Sequence, residues 1–413
     1  MKKRALKLAR ILGLTFLFIL LIGNLFILLT GRYYLYSAIS KTYLRGESGP
    51  GIYDLDLFEK TTINTNSDHF NWSNHPRKNT YNWKISELDY HKNWGTTAFL
   101  VIHKDSILLE KYWRDHNEKT VSNSFSAAKT IIALLIGIAI DEGYIKNMDE
   151  PVGNYIPEFK NLGRQKVTIR HLLQMASGLD WEESGSNPIS EAAEGYFTSD
   201  LHALVTRQLV VNDPGKKFKY QSGNSQLLGI IITNATKMSL SNYMETRLWK
   251  KIGASSTAYW STDQENGIEK SFCCFYATAR DYALLGRLLL NKGKWGNKQL
   301  ISSNFMKELI TTPTLQMDEG TPNQRYGLHT WVYLNQGNPV YYFRGYRGQY
   351  ILTVPKDELI IVRLGMKREK DFNLPENKIS NAKFLNQHQE KIGHSPDVFN
   401  YIINGYSIFN TLK

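Results

Sequence analysis

Eleven consecutive residues, Thr130-Ile131-Ile132-Ala133-Leu134-Leu135-Ile136-Gly137-Ile138-Ala139-Ile140, carry no charge and only one hydroxyl. A helix that is apolar on every side has no face to offer water, so it must run through the middle of a large domain. With 413 residues, 42% of them hydrophobic, the chain can enclose it in one large core or two smaller ones. Just before this run, Ser126-Ala127-Ala128-Lys129 sets a hydroxyl and an amine on one helical face. A serine opening the helix feels the positive end of its dipole, which stabilises a developing alkoxide. A desolvated lysine beside it can be neutral and take the proton. The plainer reading, a capping serine with its lysine on a solvated face, fits badly with so hydrophobic a helix. Ser380-Asn381-Ala382-Lys383 repeats the spacing, but in a polar, charged tail.

A second uncharged run, Ile11 to Thr30, has the length that crosses the hydrocarbon of a bilayer as a helix. The basic residues Lys2, Lys3, Arg4, Lys7 and Arg10 precede it. The positive-inside rule then predicts a cytoplasmic tail over 1–10, a single-pass anchor over 11–30 in the cytoplasmic (inner) membrane, and the remainder outside. A cleaved signal peptide would have a shorter apolar region and a small-residue cleavage site, which Thr30-Gly31-Arg32-Tyr33 matches poorly. Those five basic residues account for five of the twelve formal net charges, and the rest are dispersed. No zinc-finger spacing or arginine-rich stripe accompanies them, so nucleic acid is not an expected partner. No metal or other cofactor is expected, and no motif fixes an oligomeric state. Cys273 and Cys274 are adjacent, a spacing that rarely suits a disulfide, and read as small buried apolar side chains.

Residues 31–90 lack a sustained period, contain the Gly49-Pro50-Gly51 breaker, and read as a spacer wrapping onto the domain that fills 91–413. Thr97 to Ile102 and Ile107 to Glu110 read as a β-hairpin, and Val340 to Phe343, Gln349 to Val354 and Leu359 to Val362 as further strands. Between them the pattern is helical, with Thr168 to Ser177 stopped by Gly178 and Ala279 to Leu290 stopped near Gly293. These elements predict an α+β fold: an antiparallel sheet completed by N- and C-terminal strands, flanked by helices, with a mainly helical insertion domain. The crevice between the two parts is the expected site.

Two further segments supply candidates. Tyr220 and Ser222 follow a Pro214-Gly215 turn and stand just before an apolar run. A phenol beside a lysine ammonium gains easier access to its phenolate and can shuttle a proton. Gly345-Tyr346-Arg347-Gly348-Gln349 leads into a strand with two glycines, which allow a substrate backbone to come close, or form a simple bulge.

The order Ser-x-x-Lys, Tyr-x-Ser and a glycine-flanked strand motif resembles class C β-lactamases, penicillin-binding DD-peptidases and their relatives. Texture is closest to the esterases and 6-aminohexanoate-oligomer hydrolases of that superfamily, through His171 to Trp181, Pro214 to Gly229, Ala277 to Asp281 and Gly348 to Tyr350. The resemblance implies a β-lactamase/transpeptidase-like fold and a small-molecule or peptide-like amide or ester substrate. It implies Ser126 as acylated nucleophile, Lys129 as base and Tyr220 as partner acid or base. Ser222 would bond substrate or Lys129, and the main-chain N–H groups of Ser126 and Gln349 would form the oxyanion hole. Ser222 stands where β-lactamases carry asparagine, which fits the esterase and amidase branch better. Tyr346 stands where the family carries lysine or histidine, so the positive charge is missing there unless Arg347 supplies it and binds a substrate carboxylate. A DD-peptidase and a non-catalytic cell-wall-binding protein of the same fold are the alternative readings.

Overall fold

The apolar run becomes the helix Ala128–Asp141, buried at every position from Ala128 to Ala139. Its neighbours press close: a Cβ on Gly137 would lie 2.6 Å from the ring of Phe305, in the helix Ser303–Ile310. Leu134 is fully buried here. Leu134→Ala is therefore expected to cost about 2–5 kcal/mol, measured as a lower urea midpoint at unchanged m-value. The computed structural model describes residues 2–317, 320–373 and 388–412. The second Ser-x-x-Lys match, at Ser380 to Lys383, lies outside the described residues.

Five strands precede this helix: β1 (Lys60–Ile63), β2 (Ser73–Asn74), β3 (Thr96–His103), β4 (Ser106–Tyr112) and β5 (Ser122–Asn123). Four lie in the middle of the chain: β6 (Ala258–Ser261), β7 (Phe275–Ala277), β8 (Lys294–Trp295) and β9 (Lys298–Gln299). Four more follow: β10 (Trp331–Tyr333), β11 (Val340–Gly345), β12 (Gln349–Val354) and β13 (Leu359–Gly365). The principal sheet has the order β10-β11-β12-β13-β3-β4-β2. Strands from the two ends of the domain meet where β13 pairs antiparallel with β3, Val362 opposite Leu100. Among the strands of the described residues, only the short β2 runs parallel to its neighbour.

Continuous burial along β12 and β13, instead of alternation, means that both faces of the sheet are covered. The helix Ala279–Leu290 covers one face, where a Cβ on Gly286 would stand 2.9 Å from Ile351. The helix Pro396–Leu412 covers the other, and a Cβ on Gly405 would fall 2.2 Å from Ile361. Thr278 caps the first of these helices, and Gly293 follows it at φ 81, as the sequence indicates. The helix expected from Thr168 to Ser177 is shorter, Ile169–Leu173, because Met175 turns left-handed at φ 56.

The segment 31–90 packs against the domain. Within it, β1 joins a second sheet of order β1-β6-β7-β5, and β2 edges the principal one. The N-terminal helix Lys2–Thr30 is long and apolar enough to cross a membrane, and Ile27 is its one buried residue. Asn24, within its apolar stretch, is satisfied locally: it donates to Leu20 O at 2.8 Å and accepts from the Tyr36 hydroxyl at 2.8 Å.

One expectation is corrected. Cys273 and Cys274 are buried but joined to each other in a disulfide. In extended chain neighbouring side chains point apart, whereas Cys274 sits at φ 63, a turn that brings the two sulfurs to the same side.

Candidate active site

Ser126 lies in a 3-10 turn, Phe125–Ala127, immediately before the buried helix. The turn holds Phe125 at φ 45, a left-handed conformation that costs a side-chain-bearing residue about 1–2 kcal/mol. Its surroundings over-determine it. The Phe125 N–H donates to Asn123 Oδ1 at 2.8 Å, and the Phe125 ring meets Tyr346 edge-on at 5.4 Å. Asn123 in turn is fixed by the hydroxyls of Tyr196 and Tyr276, each 3.2 Å away.

Lys129 Nζ stands 3.0 Å from Ser126 Oγ and 2.9 Å from the carbonyl of Phe272. The side chain is almost completely enclosed, and this burial pushes its pKa down to about 8, with the Glu183 carboxylate pulling the other way. Ser126 is close enough to the Tyr220 phenol to lower its pKa, and Lys129 Nζ lies 5.2 Å from the Tyr220 ring centroid. The expectation that the lysine eases ionisation of this phenol is reversed. Burial, reinforced by Glu183, raises the Tyr220 pKa, and Arg344 and Arg368 offset only part of that. The phenol therefore stays protonated and is equipped to donate.

Ser222 opens the helix Ser222–Thr236 but does not reach Lys129. Its hydroxyl donates to Glu183 Oε1 at 2.5 Å and its N–H to Glu183 Oε2 at 2.6 Å, while Trp181 Nε1 holds the same carboxylate at 2.7 Å. Glu183 thus sits in the site although no sequence pattern marks it: it belongs to an aperiodic polar loop.

The glycine-flanked segment is the hairpin turn between β11 and β12, closed by Gly348 N–H to Gly345 O at 3.1 Å. Gly345 presses on the nucleophile turn so tightly that a Cβ there would lie 2.0 Å from Ser124 O. The chain then reverses. Gln349 lies at the start of the next strand, its side-chain amide turned onto Tyr346 O at 3.0 Å and Gly365 O at 2.7 Å. Gly348 packs against Arg363. Ser126, Tyr220, Ser222 and Tyr346 line an open cleft of about 690 Å³, and Lys129 lies beneath it. Arg347, Gly348 and Gln349 are not among its lining residues.

Positive charge is supplied from another place than expected. Arg344, on β11, lines the cleft with its guanidinium 4.3 Å over the Trp331 ring and paired with Asp371 at 2.5 Å. Arg368 also lines the cleft and shares that carboxylate. Arg344 directly precedes Gly345, so the strand that carries the charge is legible, but the residue on it that reaches the cleft is not.

The beta-lactamase family model matches residues 85–383. The chain belongs to the beta-lactamase family. It is a serine hydrolase of that family. It is 26% identical over 293 residues to a 6-aminohexanoate-dimer hydrolase of Paenarthrobacter ureafaciens, covering 67% of this chain and 74% of that one. It is 27% identical over 180 residues to protein flp of Staphylococcus aureus, covering 41% of this chain and 36% of that one. Among solved structures, a candidate 6-aminohexanoate-dimer hydrolase from Bacillus anthracis superposes with a TM-score of 0.65 at 23% identity, over 75% of this chain and 86% of that one. A penicillin-binding protein from Bacillus halodurans superposes at 0.56 with 17% identity, over 68% and 95%. These superpositions show the β-lactamase/transpeptidase-like fold that the sequence predicts.

Proposed function

We propose that the protein is a membrane-anchored hydrolase that cleaves an amide or ester through an acyl-enzyme on Ser126. The observation that carries this reading is the buried amine of Lys129, 3.0 Å from a Ser126 hydroxyl that faces an open cleft lined also by Tyr220. Neutral Lys129 takes the proton as Ser126 Oγ attacks the carbonyl carbon. The main-chain N–H groups of Ser126 and Tyr346 are the proposed oxyanion donors, because these two residues line the cleft and Gln349 does not. Tyr220 gives its proton to the departing nitrogen or oxygen and regains one from Lys129. Water then attacks the acyl group, and the same groups work in reverse. The resemblance to 6-aminohexanoate-dimer hydrolase favours an amide of a small aliphatic acid. The helix over 11–30 is the proposed anchor, with the catalytic domain on the extracytoplasmic side.

A serine-directed fluorophosphonate should label the intact protein, and peptide mapping should place the adduct on Ser126. Failure of the folded protein to be labelled would remove the reading. Glu183→Gln provides a finer test, because Glu183 raises the Lys129 pKa that burial lowers. The acid limb of kcat/KM, which reports the free enzyme, should move to lower pH in this variant. An unmoved limb would take Glu183 out of the charge balance.

A further inference from the structure

Beyond Tyr346 lies a second cavity, of about 580 Å³, which shares Ser48, Tyr346 and Arg368 with the Ser126 cleft. Its wall carries Lys92, Arg114, Arg347, Lys367 and Arg368, and no carboxylate among the described lining residues. Five like charges around one cavity repel each other, and low-dielectric walls concentrate their field. Of the five, Arg368 is ion-paired, with Asp371. Asp54 is close enough for Arg347 to act on its ionisation, but it does not line the cavity.

The backbone adds an independent observation. Arg114 is held at φ 59 and Arg347 at φ 61, where glycine or asparagine would be the cheaper residue. Arg347 Nε is buried without a hydrogen-bond partner among the described residues, although its Nη1 reaches Met366 O at 3.4 Å. Strain and an unsatisfied buried donor in one charged side chain are the marks of a site built for a ligand.

We propose that this cavity is an anion subsite, which receives a carboxylate or phosphate group carried by a substrate whose scissile bond lies at Ser126. The inference rests on the hydrolase reading and adds the substrate class to it. Tyr346 is the partition across which the substrate passes. Arg347 reaches the anion from the turn, and Lys92, Arg114 and Lys367 from the rest of the cavity lining.

The test uses the full-length protein and the triple variant Lys92→Gln/Arg114→Gln/Lys367→Gln, all three residues being exposed and outside the catalytic cleft. Two series of chromogenic esters of increasing acyl length are compared, one ending in a carboxylate or a phosphate and the other in a neutral methyl group. Wild type should prefer an anionic ester of the right length by roughly tenfold to a hundredfold in kcat/KM. The variant should lose that preference while hydrolysing the neutral esters at the wild-type rate. A preference that persists in the variant, or none in wild type, overturns the inference. The carboxylate and phosphate arms show which group the subsite accepts. Binding of tripolyphosphate, followed by calorimetry, does not depend on turnover. Should no ester be hydrolysed, the hydrolase reading fails, while binding to wild type that is lost in the variant still supports an anion site, and no binding to wild type overturns it.

Discussion

With Ser126 replaced by alanine, turnover of every amide and ester substrate is expected to fall by about 10⁴-fold or more, the loss typical when the nucleophile of a coupled catalytic set is deleted. The fold should survive, because the hydroxyl faces the cleft and the turn around it is secured by Asn123 and by the Phe125–Tyr346 contact. Substrate binding should survive too, since the cleft walls are unchanged. Single-turnover kinetics alongside equilibrium binding to Ser126→Ala will separate the two effects. Residual turnover within tenfold of wild type would mean that another group carries the reaction.

Lys129→Met should have the next largest effect, lowering kcat/KM by about 10²–10⁴-fold. In the wild type the useful form of the lysine is the neutral amine, so kcat/KM should climb as pH rises through about 8. Methionine abolishes that limb. A second consequence concerns stability. The Lys129 pKa falls from 10.5 to about 8 on burial, so between those values the unfolded chain holds a proton that the folded one has lost. Stability of the wild type therefore rises with pH across this window, and is lowest below about 8, where folding buries the charge. Lys129→Met removes this slope, and its Tm near neutral pH should be no lower than wild type, since a buried amine with no bonded carboxylate is replaced by an apolar chain of similar length. A lower Tm with the slope retained would show that the lysine is held as a stabilising ammonium.

The elements with an unambiguous period were readable in advance. The helix after Ser126 is apolar throughout, Ala279–Leu290 has both its cap and its stop, and the strands at the two ends of the domain are continuous apolar runs. What was misread turns on tertiary placement. The two strands and the turn between them are legible, but which side chains of β11 reach the cleft is not, and Arg344 becomes visible only once β11 is placed beside the nucleophile turn. Glu183 lies in an aperiodic loop and gains meaning only when Ser222 is brought to it over a separation of 39 residues. The phenol of Tyr220 was expected to ionise more easily because a lysine adjoins it, and only its degree of burial reverses the sign. Adjacency alone does not reveal the disulfide of Cys273 and Cys274, which depends on the left-handed turn at Cys274.

The pairing of β13 with β3 sets an order of events during synthesis. By the time the ribosome has emitted Tyr220, the nucleophile, its base and its proton donor all exist, yet the central partner of β3 is still untranslated. Until Leu359 to Gly365 emerge, one edge of β3 and the apolar faces around it stand open, and long-range pairing of this kind is slow and exposed to aggregation. Truncation anywhere before β13 should yield insoluble polypeptide instead of a smaller working enzyme.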